Sequence, residues 1–332
     1  MVTQEQIIEA LKKAASPEQI REIKIAGGTV NLRVAPGAPE EAIRAALSKV
    51  PGVVLVNLST GERFAPVGAV RHVVAVASGK GGVGKTTVSV NLAVALAREG
   101  LKVGLLDADI YGPNVPLMMG TERLPPLQEG KLVPAENFGV KVISMGFLVK
   151  PGEALIWRGP MLHGAVNKFL KEVLWGDLDY LLADLPPGTG DVQLSLAQSI
   201  ALSGALVVTT PQEVALQDVE RAVAMFKKVK VPVLGIVENM SNFICPHCGK
   251  GTEIFDRGGG VRAAEAYKVP FFGEIPLVPE VRAGADSGHP LVLTHPDSPA
   301  GVAFTQVARK LAAQLSILAE QQDQGAKTAW TV

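Results

Sequence analysis

The sequence predicts an α/β protein built on a doubly wound, mainly parallel sheet, preceded by a small α+β domain. Strand-length apolar runs alternate with amphipathic helical segments from residue 73 onward, and the runs are almost continuous Val, Ile and Leu. Such runs are typical of parallel strands that helices cover on both faces. The composition agrees: 47% of the 332 residues are apolar, 5% are aromatic and 35 are glycines, as expected for many tight turns between strands and helices.

Seven strands and six helices are expected in the large domain. The strands cover residues 73–77, 102–107, 140–145, 180–184, 205–210, 233–238 and 271–275. The helices cover 86–99, 161–174, 192–199, 217–229, 260–267 and 300–321. Ligands of such sheets bind at the carboxyl ends of the strands, so residues at those ends are the first candidates for chemistry.

Residues 1–60 carry a separate pattern. Helices are expected at 4–15 and 39–48 and strands at 20–25, 29–34 and 53–58, with Gly27 and Gly28 forming a hairpin turn. This segment contains no His or Cys with which to do chemistry. Gly61, Pro66 and Gly68 indicate a linker over 61–71, which leaves 72–332 for the large domain.

The stretch from Ser78 to Thr87, between an expected strand and an expected helix, has the pattern of a nucleotide phosphate loop. Its spacing matches G-x-x-x-x-G-K-[ST], in which backbone N–H groups and the helix N-terminus bind phosphate oxygens. The lysine of that motif reaches the β- and γ-phosphates and the hydroxyl ligates magnesium. The nucleotide-binding residues expected here are Gly79, Lys80, Gly81, Gly82, Val83, Gly84, Lys85, Thr86 and Thr87.

Polar residues follow three other expected strands. Asp107 and Asp109 are suited to orienting a water or holding magnesium, and Asp184 fits a Walker B acid near magnesium, before a Pro- and Gly-rich loop over 186–190. At the ends of two further strands, Asn239 offers an amide to an adenine edge and Pro276 is suited to walling the base. Capping and turn roles remain alternatives for each of these positions.

Cys245 and Cys248 are the only cysteines and have the spacing of a metal knuckle. Two thiolates are half of a tetrahedral site, so the simplest completion is a zinc ion or an iron–sulfur cluster bridging a homodimer. A thiol redox pair or two inert cysteines are the alternatives.

Charge and hydropathy exclude several classes of partner. The 32 basic and 32 acidic residues balance, so nothing overall indicates a nucleic-acid or membrane-surface binder. The N-terminus lacks a basic segment followed by a long apolar run, and no apolar run approaches the ~20 residues of a membrane span. The expected location is the cytoplasm, where two cysteines stay reduced.

Six motifs together resemble a known family. The loop at 79–87 is similar to the deviant Walker A loop of the MinD/ParA/nitrogenase-iron-protein class. With it, the segments at 107–114, 157–161, 179–191, 209–215 and 238–248 resemble the Mrp/ApbC branch of iron–sulfur cluster carrier ATPases, over about residues 71–320. The N-terminal module resembles the small domain that many bacterial members carry, without the cysteine often found there. Asn114 stands where serine is more usual.

This resemblance implies roles for particular residues. Lys80 would reach across a homodimer to the partner's nucleotide, and Asp109 would orient the water that hydrolyses ATP. Asp184 would lie near Mg²⁺, and Asn239 would read adenine. Cys245 and Cys248, with their dimer mates, would hold a labile [4Fe–4S] cluster. The protein would receive that cluster from an assembly scaffold and deliver it to apo iron–sulfur proteins, with slow ATP hydrolysis acting as a dimer switch.

Two other functions share these motifs. A MinD- or ParA-like positioning ATPase would use the same dimer switch on DNA or a membrane, but the cysteine knuckle has no purpose in that scheme. A zinc-stapled nucleotide-binding scaffold would use the knuckle without transferring a cluster.

Overall fold

The computed structural model describes residues 3–26, 29–34, 38–53, 55–59, 70–110, 112–148 and 159–328. The chain divides into two compact units, one formed by Met1–Ala65 with Ser316–Val332 and the other by Pro66–Leu315. The expected domain boundaries at 60 and 72 stay a prediction, because residues 60–69 lie outside the described ranges.

The N-terminal segment has the expected α+β architecture. It comprises α1 (Gln4–Lys12), β1 (Ile20–Ala26), β2 (Thr29–Val34), α2 (Glu40–Leu47) and β3 (Leu55–Ser59). β1 and β2 are antiparallel, as a hairpin requires, and β3 pairs with β2 in parallel. The predicted Gly27–Gly28 turn lies outside the described residues. Apolar side chains of both helices and β2 form a separate core, which includes Ile7, Leu11, Leu32, Ile43 and Leu47.

The large unit is the predicted doubly wound sheet. Its strands are β4 (Val70–Ala77), β5 (Val103–Asp107), β6 (Ala135–Asn137), β7 (Val140–Ser144), β8 (Leu178–Asp184), β9 (Gly204–Thr209), β10 (Val233–Ile244), β11 (Gly251–Thr252) and β12 (Phe271–Leu277). They follow the order β11-β10-β9-β4-β8-β5-β7-β6, and β12 also pairs with β10. The seven expected strands all pair in parallel, and only the short β6 and β11 add antiparallel pairs among the described strands of this sheet.

Helices flank this sheet. They are α3 (Lys85–Arg98), α4 (Val115–Met118), α5 (Gly159–Glu172), α6 (Asp191–Ser199), α7 (Glu213–Lys228), α8 (Gly259–Tyr267), α9 (Pro279–Ser287), α10 (Leu291–Thr294) and the part of α11 (Pro299–Thr328) up to Leu315. α3 is buried at every position from Val88 to Leu96, as expected for a helix enclosed on all sides. Lys85, the first residue of α3, therefore lies on a helix that packing fixes on all sides.

Two differences from the sequence-based expectations concern the elements around the site. β10 does not end at Glu238 but continues to Ile244, so Asn239 lies within a strand. The strand continues because its second half pairs with β11 and with Leu277 of β12 after its pairing with β9 has ended at Glu238. The helices α4, α9 and α10 and the strands β6 and β11 were not predicted, because all but α9 are four residues or shorter and α9 carries little apolar periodicity.

We predict opposite effects of two Gly→Ala substitutions on stability. At Gly235 in β10 an added Cβ would lie 2.5 Å from ring atoms of the buried Phe272, so Gly235→Ala should lower the free energy of unfolding by about 1–3 kcal/mol. Gly164 in α5 is exposed and has open space for a Cβ, so Gly164→Ala should raise it by about 0.5–1 kcal/mol. Urea denaturation measures both, and equal effects of the two substitutions would contradict the packing described here.

Candidate functional site

The phosphate loop connects β4 to α3 and borders a cavity of about 430 Å³. Gly82 and Gly84 have φ of +81° and +77°, a conformation that glycine adopts without strain. Gly79 is needed for a different reason, because a Cβ there would collide with the backbone of Asp218 in α7. The loop residues that border the cavity are Ser78, Gly81, Gly82, Val83, Gly84, Lys85, Thr86 and Thr87. Backbone N–H groups at a helix N-terminus are suited to binding an anion in that cavity.

A buried carboxylate ties this loop to the neighbouring strand β8. Asp184 is 0% exposed, and its Oδ2 lies 2.7 Å from Lys85 Nζ and accepts a 2.7 Å hydrogen bond from Thr86 Oγ1. Its Oδ1 accepts a 2.6 Å hydrogen bond from Ser89 Oγ. Three residues of the loop and α3 therefore converge on one carboxylate, which the sequence had assigned to the magnesium site.

Asp107 lies beside Asp184 in the register of β5 and β8. Its Oδ1 accepts from the backbone N–H of Asp109 at 3.1 Å, and its Oδ2 accepts from Ser144 Oγ at 2.8 Å and from the N–H of Val115 at 3.3 Å. Burial, with the nearby Asp184 carboxylate second, raises the pKa of Asp107 to about 8. Asp107 is therefore mostly protonated at neutral pH, while Asp184 is the carboxyl that lies against Lys85.

Asp109 borders the cavity and is 8% exposed. The sequence analysis placed both Asp107 and Asp109 at the strand end, and the structure separates them. Asp109 borders the cavity, whereas Asp107 accepts hydrogen bonds from the N–H groups of Asp109 and Val115 and thereby holds the start of α4. Only hydrogen bonding and burial distinguish the two, and neither is readable from the sequence.

The Pro- and Gly-rich loop after β8 is attached to the phosphate loop. The N–H of Gly188 donates a 3.0 Å hydrogen bond to the carbonyl of Ser78, and Pro187 borders the cavity. The two loops are therefore hydrogen-bonded to each other beside the cavity.

Asn239 contacts the phosphate loop directly. Its Nδ2 donates a 2.9 Å hydrogen bond to the carbonyl of Val83, and the side chain is 6% exposed. It packs so closely that a Cβ on Gly84 would collide with its amide nitrogen. Pro276 is buried in β12 and is not among the described residues that border the cavity. The adenine-binding roles expected for Asn239 and Pro276 therefore stay predictions.

Sequence reasoning missed the outer wall of the cavity. That wall is formed by Leu117 and Met118 of α4 and by Ala285 and Asp286 of α9. The two helices meet where a Cβ on Gly288 would lie 2.8 Å from Gly120 Cα. The sequence indicates α9 only through Pro279 and Gly288. Proline is typical of the first residue of a helix and glycine of the residue that follows its end.

Lys80 is half-buried in the phosphate loop. Its carbonyl accepts a hydrogen bond from Ser78 Oγ at 2.9 Å. Within the described ranges, its ammonium forms no ion pair and does not border the cavity. Its role across a dimer stays a prediction.

Cys245 and Cys248 lie on the hairpin between β10 and β11. The N–H of Cys245 donates to the carbonyl of Lys250 at 3.0 Å, and the N–H of Gly249 donates to the carbonyl of Cys245 at 2.9 Å. Cys248 is exposed and Cys245 is half-buried. Hydrogen bonds from the backbone N–H groups of His247 and Cys248 lower the pKa of the Cys245 thiol, which favours the thiolate that binds metals.

The described residues contain no group of three or more His, Cys, Asp or Glu side chains placed to hold a metal ion. One copy of the described chain therefore offers two thiolates and no further ligand beside them.

No helix in the described ranges is long and apolar enough to cross a bilayer.

The raised pKa of Asp107 gives a pH-dependent prediction. Between pH 3.8 and about 8 the folded protein holds a proton that the unfolded chain releases, so stability falls as pH rises through this window. In Asp107→Asn the free energy of unfolding should decrease less steeply with pH, by about 1 kcal/mol per pH unit. Urea unfolding without nucleotide or Mg²⁺ across the window measures the slope, with the exposed Asp297→Asn as control. Equal slopes for wild type and Asp107→Asn would contradict a proton on Asp107.

Comparison with known proteins agrees with this geometry. The model of the ParA group described as NUBPL iron-transfer P-loop NTPase matches residues 69–312. An iron–sulfur cluster carrier protein of Deinococcus radiodurans is 54% identical over 288 residues, covering 85% of this chain and 82% of the relative.

Two solved structures share the fold. A nucleotide-binding protein of Archaeoglobus fulgidus in complex with ADP is 42% identical with a TM-score of 0.60, covering 66% of this chain and 87% of that one. The cell division ATPase MinD of Pyrococcus furiosus is 25% identical with a TM-score of 0.57, covering 73% and 99%. The resemblance seen in the motifs is confirmed, and the chain belongs to the family of NUBPL iron-transfer P-loop NTPases.

Proposed function

We propose that this protein is an ATP-hydrolysing carrier that binds a [4Fe–4S] cluster between two copies and transfers it to apo iron–sulfur proteins. The observation that carries the proposal is the exposed Cys245–Cys248 hairpin at the end of β10, the strand whose Asn239 contacts the phosphate loop. The D. radiodurans relative is named an iron–sulfur cluster carrier protein, and the A. fulgidus relative was solved with ADP. Both names support the proposal.

The nucleotide site is suited to Mg-ATP. Thr86 borders the cavity and its Oγ1 donates to the buried Asp184 carboxylate behind it, so the two residues offer the hard oxygen ligands that Mg²⁺ prefers. Bound there, Mg²⁺ would neutralise charge on the β- and γ-phosphates. Lys85 would bind the same phosphates, and Asp109 would orient the attacking water. Asn239 and Pro276 would contact the adenine.

The cluster is cargo and needs four thiolates. Each copy supplies two, so a second copy completes the site and the homodimer is part of the function. Lys80 would then contact the nucleotide of the partner, so that ATP binding tightens the dimer and slow hydrolysis loosens it. A scaffold that assembles clusters would be the donor, and the reducing cytoplasm would keep the thiols free.

A zinc-stapled scaffold is the competing function that the site itself permits, since a Cys pair with N–H donors to sulfur also suits zinc. The similarity to MinD concerns the fold and gives the Cys hairpin no purpose in positioning. Both alternatives are outcomes of the tests below.

Anaerobic reconstitution with iron and sulfide tests the cargo. Wild type should develop a visible chromophore with about four iron and about four sulfide per dimer. Cys245→Ser and Cys248→Ser should lose it, whereas His247→Ala, which keeps both thiols, should retain it. A chromophore of equal strength in Cys245→Ser would contradict the proposal. Wild type that takes up zinc but no chromophore would favour the scaffold.

Lys80 and Lys85 should differ in their effects on nucleotide binding and dimerisation. Lys80→Ala should weaken ATP-dependent dimerisation and slow hydrolysis by about 10- to 100-fold, the loss expected for one charged hydrogen bond, with a smaller effect on nucleotide affinity. Lys85→Ala should abolish nucleotide binding, and Lys102→Ala, an exposed residue directly before β5, should change neither nucleotide binding nor dimerisation. Sedimentation and ATPase assays measure these effects. Unchanged dimerisation and hydrolysis in Lys80→Ala would contradict a role across the dimer.

A further inference from the structure

Glu238 precedes Asn239 in β10 and is 0% exposed. Its Oε1 accepts a 3.1 Å hydrogen bond from the N–H of Gly258, and its Oε2 accepts a 2.5 Å hydrogen bond from the N–H of Gly260. Gly258 caps α8 and Gly260 lies in its first turn. Glu238 therefore holds the start of α8, the first helix after the Cys hairpin.

The chain is consequently held on both sides of the Cys hairpin by adjacent residues. Its outgoing strand passes through Asn239, which holds the phosphate loop through Val83. Its returning strand, β11, ends at Thr252, and the chain reaches the N–H of Gly258, held by Glu238, six residues later. Cys245 lies between these anchors, directly after the last residue of β10. The Val83 carbonyl and the start of α8 are therefore held by adjacent residues of β10, Asn239 and Glu238.

The outgoing strand contains one irregular segment. β10 advances four residues from Asn239 to Phe243, while β12 advances two residues from Ile275 to Leu277. Met240, at the start of this bulge, has a φ of +57°, which is strained for a side chain of its size. The strand therefore has a defined bend between the phosphate loop and the thiols.

We propose that Glu238 is a positioning residue that couples the phosphate loop to the Cys245–Cys248 pair, so that nucleotide binding and metal binding are thermodynamically linked. This inference rests on the proposed function, because it requires a nucleotide at the loop and a metal at the thiols. Glu238 contacts neither ligand; it acts by keeping the start of α8 fixed to the strand that carries Asn239. Linkage is reciprocal, so each ligand must change the affinity of the other by the same factor.

The test uses the reduced, full-length protein with Co²⁺ as the metal probe, followed by its thiolate charge-transfer absorption without oxygen. In wild type, Mg-ADP should change the dissociation constant for Co²⁺ by about fivefold or more, and Co²⁺ should change that for ADP by the same factor. Glu238→Gln places an amide N–H against a backbone N–H. It should bind each ligand alone within about twofold of wild type while its coupling factor falls to about one.

The exposed ion-pair residue Glu99 at the far end of α3 is the matched control, and Glu99→Gln should keep the wild-type coupling factor. Met240→Gly is a second variant that relieves the strain at the bend and should also lower the factor, whether or not Glu238→Gln folds. Sedimentation shows whether the variants keep the dimerisation of wild type. Loss of coupling through loss of the dimer would overturn the role of Glu238.

Two results would overturn the inference alone. One is a wild-type coupling factor of about one with both ligands bound. The other is wild-type coupling in Glu238→Gln or, if that variant does not fold, in Met240→Gly. If Cys245→Ser gives the same Co²⁺ charge-transfer spectrum as wild type, the metal is not bound by this thiol. That result would contradict the proposed function, and the inference with it.

Discussion

The structure of the nucleotide site depends on the buried ion pair between Lys85 and Asp184. Both side chains are almost fully buried, and the pair is tolerated because Asp184 also accepts hydrogen bonds from Thr86 and Ser89. Removing one partner of such a pair typically costs about 3–5 kcal/mol, since the other charge is left without compensation. Lys85 and Thr86 are also the groups proposed to bind phosphate and Mg²⁺. In the proposed function, the nucleotide phosphates therefore compete with Asp184 for Lys85. Nucleotide binding would change the contacts of Asp184, which is the last residue of β8 before the Pro- and Gly-rich loop.

Asp107 makes this arrangement possible. Two charged carboxylates in register on adjacent buried strands would repel each other, and the raised pKa of Asp107 removes one of the charges at neutral pH. The same side chain holds the N–H of Val115 at the start of α4, whose Leu117 and Met118 form part of the cavity wall. Asp107 thus both limits the repulsion between the two buried carboxyls and fixes the start of α4, which forms part of the cavity wall.

Much of this could be predicted from the sequence, because parallel strands and phosphate loops depend on local patterns. The seven parallel strands and the loop from Gly79 to Thr87 follow from apolar runs and glycine spacing. The cavity wall formed by α9, the extension of β10 and the division of roles between Asp107 and Asp109 could not be predicted. Each depends on contacts between residues distant in the chain, such as Gly120 with Gly288 or Asp107 with Ser144, and neither propensity nor periodicity carries that information.

The burial of β10 decreases along its length, and this decrease suits a carrier. Its first half is buried from Leu234 to Asn239 and belongs to the rigid sheet, whereas its last residues, from Asn242 to Ile244, are only half-buried and lead to the exposed thiol of Cys248. Local opening costs least free energy where few contacts are buried, so the hairpin opens more readily than the strand from which it extends. A resident structural metal would benefit from a buried site with a full set of ligands. A cargo that must leave benefits from ligands on an element that opens locally while the nucleotide site beside it stays folded.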